Sequence, residues 1–182
     1  MSGALLRFVL VNFPLLVFAV GLVGGAIGAR RAFTRTEAAD AWLGPMLCAA
    51  GAAGIWIGLV HLVAGPFAAR LVGWAPSPFQ VEAGAGHLAV GVVAVVAASR
   101  DFGFRAAAAL GAAALFGISA LAPIVGLAPP RLYGGFDAAL SLIAPLGTAL
   151  ILPALVALRA SSARREAAPP PDGIEILPPD RG

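Results

Sequence analysis

The sequence predicts an all-α integral membrane protein, a bundle of five transmembrane helices, and three observations carry that prediction. Hydrophobic residues make up 60% of the chain and charged residues 12%, with a mean hydropathy of +0.93, whereas a soluble domain is roughly one quarter charged. The apolar residues gather into five runs, each near the roughly 20 residues that a helix needs to cross about 30 Å of hydrocarbon. The runs are too long for the strands of an outer-membrane barrel and lack their alternation.

The first span, 8–29, follows Arg7 and precedes the stronger positive flank of Arg30, Arg31 and Arg35. Its apolar core of about 22 residues exceeds the roughly 7–15 of a secretion signal, so it reads as a retained span. Gly21, Gly24, Gly25 and Gly28 give it small-xxx-small pairs for close packing. In the second span, 42–65, Gly54, Gly58, His61 and Gly65 fall at i, i+4, i+7 and i+11, which puts His61 on the glycine face. Cys48, the single cysteine, excludes an internal disulfide or a multi-cysteine metal site and is expected to be a small buried hydrophobe.

The third span, 81–99, repeats the device, with Gly84, His87 and Gly91 on one face. The fourth, 106–127, is alanine-rich and predicts packing only. The fifth, 137–158, places Asp137, Ser141, Ala144 and Thr148 on one stripe, with Asp137 at its start. The bundle therefore occupies 1–160. The remainder, 161–182, combines prolines and charges with few apolar residues and reads as a disordered cytoplasmic tail.

The formal charge of +3 comes without a single lysine. Arginines cluster after the first, third and fifth spans, while the other connections hold only Arg70 and Arg131. The positive-inside rule then puts the N-terminus outside and the C-terminus in the cytoplasm. This distribution reports topology and gives no basis for nucleic-acid binding.

In the stretch "GWAPSPFQVEAGAGHLAVG", Glu82 and His87 stand where the chain enters lipid from the outer side. Pro76 and Pro78 stop the preceding helix and favour an extended connection, Ser77 suits a local turn, and Glu82 suits the positive end of the next helix dipole. An imidazole facing lipid leaves its N–H unsatisfied, so His61 and His87 are expected to face neighbouring helices. His61, Glu82, His87 and Asp137 form the candidate polar site, gathered in the outer leaflet, with Trp74, Ser77, Pro78, Phe79 and Gln80 as its motif loop. Zinc could use the two histidines and a carboxylate, and a b-type haem could use both imidazoles if a wide pocket separates their helices. The spacing matches no strong metal motif, and the metal and cofactor remain unknown.

The segment "HLVAGPFAARLVGWAPSPFQVEAGAGHLAVG" resembles a group of small multi-pass bacterial membrane proteins known as a domain of unknown function. Their motif, Gly-Trp-x-x-Ser-Pro-Phe-Gln-x-Glu, reads here as Gly73, Trp74, Ser77, Pro78, Phe79, Gln80 and Glu82, with His61 upstream. Asp137 and Pro145 are similar to an Asp-Ile…Pro feature of the group. The chain departs from it where members carry a histidine late in the fourth span and an Asn-x-x-Pro-Gly-Asn-like loop; it has "SALAPIVG" and "LAPPRLYGGF". The resemblance implies an integral membrane location and draws attention to the motif.

No nucleophile motif, phosphate loop or dinucleotide fingerprint is present. The leading expectation is a non-enzymatic accessory or binding component in contact with the lipid bilayer, with other membrane subunits or further copies of itself as partners. The alternatives are a proton-coupled carrier of a small solute, using Glu82 and Asp137, and a haem- or quinone-linked redox protein, using His61 and His87.

Overall fold

The computed structural model describes residues 3–71, 75–125 and 136–168. They form six α-helices: α1 Gly3–Ala29, α2 Arg35–Val63, α3 Gly65–Leu71, α4 Phe79–Ala97, α5 Phe102–Ile124 and α6 Phe136–Glu166. No strand occurs among the described residues. All but the short α3 contain a stretch long and apolar enough to cross a membrane.

Helix α2 starts earlier than the apolar run suggests. Thr34 has extended backbone angles and accepts from the Glu37 N–H at 3.1 Å, while the Glu37 carboxylate accepts from the Thr34 N–H at 3.4 Å. This capping box nucleates the helix in polar sequence, ahead of the first apolar residues. The other end is earlier too: α2 stops at Val63, and Gly65 belongs to α3. Pro66 has no N–H to offer the carbonyl of Leu62, so the helical ladder breaks there. The connection between the second and third spans is thus partly helical, over α3, while residues 75–77 around Pro76 carry no helix. At the C-terminal end α6 runs on through Glu166, into the segment read as tail, while 169–182 lie outside the described residues.

Helix α2 is the centre of the bundle and touches α1, α4, α5 and α6, while α5 pairs with α6. Leu43, Met46 and Leu47 of α2 are fully buried with Ala109 and Ala112 of α5 and Leu152 of α6. The outward faces are apolar as well: Leu16, Val20, Val23 and Ile27 form an exposed stripe at i, i+4, i+7 and i+11 of α1. A continuous apolar exterior of this kind suits hydrocarbon and would be a liability in water. Cys48 belongs to the outward stripe of α2 with Leu59 and Leu62 and is exposed. The burial expected for it fails because the inward faces of α2 are already occupied by larger side chains and glycines.

Glycine sets how near the helices come. A methyl group added at Gly91 of α4 would lie 2.6 Å from the Ile55 nitrogen and 2.8 Å from the Gly51 oxygen. One at Gly58 of α2 would lie 2.7 Å from the Leu88 nitrogen and 2.8 Å from the Gly84 oxygen. These obstacles are backbone atoms, so α2 and α4 meet main chain against main chain, the arrangement small residues permit in lipid. On α1, Gly25 accommodates the Trp42 ring, and Gly21 receives Met46 and Ala49.

The arginine-rich end carries a second fastening. Asp40 of α2 accepts from Arg105 Nη1 of α5 and from Arg159 Nε of α6, each at 3.3 Å. Arg105 also donates through Nε and Nη2 to the Ala98 carbonyl at 3.1 and 2.6 Å, capping the end of α4. Arg159 lies over the Phe102 ring, 4.3 Å from its centroid. One carboxylate and two guanidinium groups therefore tie four helices together.

Three outcomes follow for stability in detergent. Gly91→Ala should lower it by about 1–3 kcal/mol through overpacking against backbone. Gly86→Ala, where an added methyl meets nothing within 4 Å, should change it by less than about 0.5 kcal/mol. Asp40→Ala should cost about 1–3 kcal/mol, near the lower end because the cluster is partly exposed. Thermal unfolding of the three variants followed by circular dichroism checks these values.

Candidate functional site

His61 lies in the last turn of α2, and His87 lies two turns into α4. The glycine seam runs between them: a methyl at Gly84 would meet the His61 Cβ at 3.0 Å, and one at Gly54 would meet the His87 carbonyl at 2.9 Å. This contact brings the imidazoles together, with ring centroids 6.4 Å apart and planes inclined by only 12°. Phe116 of α5, itself buried, stands edge-on to His87 at 6.1 Å and 76° and forms an apolar wall.

The hydrogen bonds fix which ring nitrogen carries the proton. His87 Nδ1–H donates to the Ala83 carbonyl at 2.9 Å, one helical turn back. His61 Nδ1–H donates to the Gln80 Oε1 at 2.6 Å. In the neutral rings both Nε2 atoms then carry lone pairs, and among the described residues neither has a hydrogen-bond partner.

Gln80 is the residue whose part the sequence did not disclose. It was placed in a loop, yet it lies in the first turn of α4 and is only 3% exposed. Its amide closes the cluster through His61, and its Nε2 is buried without a partner. A buried amide N–H left unpaired costs about 1–3 kcal/mol. A usable signal was present, because two residues after a proline pair is helix N-terminus rather than loop.

The other predicted residues that are described stand apart from this pair. Glu82 is exposed in the first turn of α4; five residues separate it from His87, about 140° around the helix at about 100° per residue. Ser77, Pro78 and Phe79 are exposed. Trp74, Gly73 and the side chains of Asp137 and Ser141 lie outside the described residues, whereas Ala144 and Thr148 are buried. Among the described residues no group of three or more His, Cys, Asp or Glu side chains is arranged to hold a metal ion. A haem laid between the two rings would have to part the α2–α4 seam, where main-chain atoms already touch.

The bundle defines the class of the molecule: an all-α protein with five helices long and apolar enough to cross a membrane. Residues 11–165 match the model of a family of unknown function, DUF6790, and the chain belongs to that family. No curated protein and no solved structure matches the chain.

The tautomers are open to measurement by 15N NMR of histidine-labelled protein. Both rings should show a protonated Nδ1 and an unprotonated Nε2. Gln80→Leu should shift the His61 pattern towards the other tautomer while leaving His87 unchanged, since only His61 loses its acceptor.

Proposed function

We propose that the protein is a ligand-binding or accessory component of the bacterial inner membrane, with its site at His61, Gln80 and His87 near the outer surface. The observation that carries this reading is the paired Nε2 lone pairs, left free because each Nδ1–H is committed to an oxygen. Among the described residues neither far nitrogen has a hydrogen-bond partner, and the amide that holds His61 carries a buried, unpaired donor of its own.

The outward placement is supported by the charges. Arg30, Arg31 and Arg35 flank the α1–α2 connection, Arg100 and Arg105 the α4–α5 connection, and Arg159, Arg164 and Arg165 the end of α6. These positions share one end of the bundle, which the positive-inside rule assigns to the cytoplasm. His61 and Gln80 belong to the opposite ends of α2 and α4. The N-terminus then lies outside. Glu82, exposed at the start of α4, suits the lipid–water boundary and stands outside the binding pair.

Native mass spectrometry of the full chain released from membranes in mild detergent tests this. The wild type should carry a bound mass that the His61→Leu/His87→Leu double variant lacks. Identical spectra from the two proteins would defeat the proposal.

A further inference from the structure

We propose that a trough between α4 and α5 holds one acyl chain of an anionic lipid from the leaflet at the arginine-bearing end, with Arg100 meeting its headgroup. Ala89 and Val93 of α4 and Phe104, Ala107 and Gly111 of α5 line a recess of about 310 Å3. All five are exposed, so the recess opens on the apolar exterior of the bundle.

The recess follows from how the helices pair. Glycine draws α4 against α2, and α5 pairs with α6, which leaves α4 and α5 the loosest meeting between consecutive spans. Small side chains then leave open what larger ones would close: a methyl group added at Gly111 meets nothing within 4 Å. In a bilayer such a gap forfeits dispersion contacts unless something fills it.

Its shape selects the occupant. From Phe104 to Gly111, α5 rises about 10 Å. Spread over that length, 310 Å3 gives a trough about 6 Å across, too narrow for a helix of a second copy, which with its side chains is about 10–12 Å wide. One extended hydrocarbon chain fits. Gly111 lies about 14 Å along α5 from its start at Phe102, and one leaflet's half of a roughly 30 Å hydrocarbon core is about 15 Å deep. The trough thus ends where the chain of a lipid anchored at the arginine-bearing end also ends.

Charge selects the leaflet and the headgroup. Arg100 is exposed in the turn joining α4 to α5, and among the described residues no ion pair or side-chain hydrogen bond engages its guanidinium. The neighbouring Asp101 is occupied in accepting from the Phe104 N–H at 3.1 Å. Among the described residues this end carries eight arginines against Glu37, Asp40, Asp101 and Glu166, an excess that attracts anionic lipid. At the opposite end of α4 the exposed charge is Glu82, which repels such a headgroup.

Native mass spectrometry of the full chain in mild detergent, titrated with phosphatidylglycerol or with phosphatidylcholine of the same acyl chains, tests the assignment. One phosphatidylglycerol per chain should bind saturably, about fivefold more tightly than phosphatidylcholine, the worth of one arginine near an anionic surface. Gly111→Leu, whose side chain starts in open space, should lower the affinity for both lipids about 10-fold or more by overpacking the trough, with unchanged helicity. Ala107→Leu should do the same. Gly86→Leu, equally open but outside the trough, should bind as the wild type does. Arg100→Gln should remove the preference and leave phosphatidylcholine binding unaltered.

Wild-type affinity in both Gly111→Leu and Ala107→Leu overturns the proposal, as does the absence of a saturable single site. A preference that survives in Arg100→Gln overturns the headgroup contact. Dimers that vanish in Gly111→Leu make a second copy the occupant and overturn the lipid. The His61→Leu/His87→Leu double variant should hold the lipid as the wild type does, so failure here and failure of the histidine site are read separately.

Discussion

The structure depends on the contact between the backbones of α2 and α4. Gly51, Gly54 and Gly58 face Gly84 and Gly91 so closely that a single methyl group would strike main-chain atoms. In hydrocarbon there is little solvent-driven force to gather apolar helices, and dispersion across close surfaces takes its place. The seam sets the distance between two helices, and through it the distance between two imidazoles. Because no side chain intervenes, the spacing of His61 and His87 is fixed by main-chain geometry and by the hydrogen bonds behind the rings.

The same logic explains why so few polar groups suffice. Asn12, Gln80, Thr148 and Ser162 are the buried polar residues among those described, and the rest of the described interior is glycine, alanine, leucine, methionine and phenylalanine. Alanine lets α5 lie close to its neighbours, with Phe116 filling what alanine leaves open. The polar cluster around His61 is thus isolated in an apolar wall. Isolation raises the strength of each hydrogen bond in it and the cost of any group left unpaired.

Much of the fold was legible in the sequence because hydropathy is a property of the whole span. Five apolar runs became five long helices, and the i, i+4, i+7 spacing of Gly54, Gly58 and His61 marked a face that does meet α4. The ends were less legible. Glu37 and Asp40 interrupted the apolar run, so α2 was begun too late, although Thr34-x-x-Glu37 announced the capping box. That displacement hid Asp40 and its two arginines, which had been counted only as a topological signal. Cys48 was assigned to the interior on residue type alone, while its position on the outward stripe decided otherwise. For the site, helical periodicity brought the two histidines into view, and Gln80 stands on the same stripe, at i, i+4, i+7 and i+11 with Gly84, His87 and Gly91. It was missed because the span was begun at Val81, whereas α4 starts at Phe79.

The two ends of the bundle are closed by different physics. At one end Asp40 joins Arg105 and Arg159 by charge, at distances of 3.3 Å and partly exposed; at the other, uncharged main chain abuts uncharged main chain. Ionic strength damps the first and leaves the second untouched, since mobile ions screen charges over a Debye length of about 10 Å at 0.1 M salt, only partly for a pair in contact, and have no purchase on dispersion. A concentrated electrolyte therefore softens only the arginine-bearing end, by no more than the modest worth of partly exposed ion pairs, while the buried side chains of Leu43, Met46 and Leu152 keep that end closed.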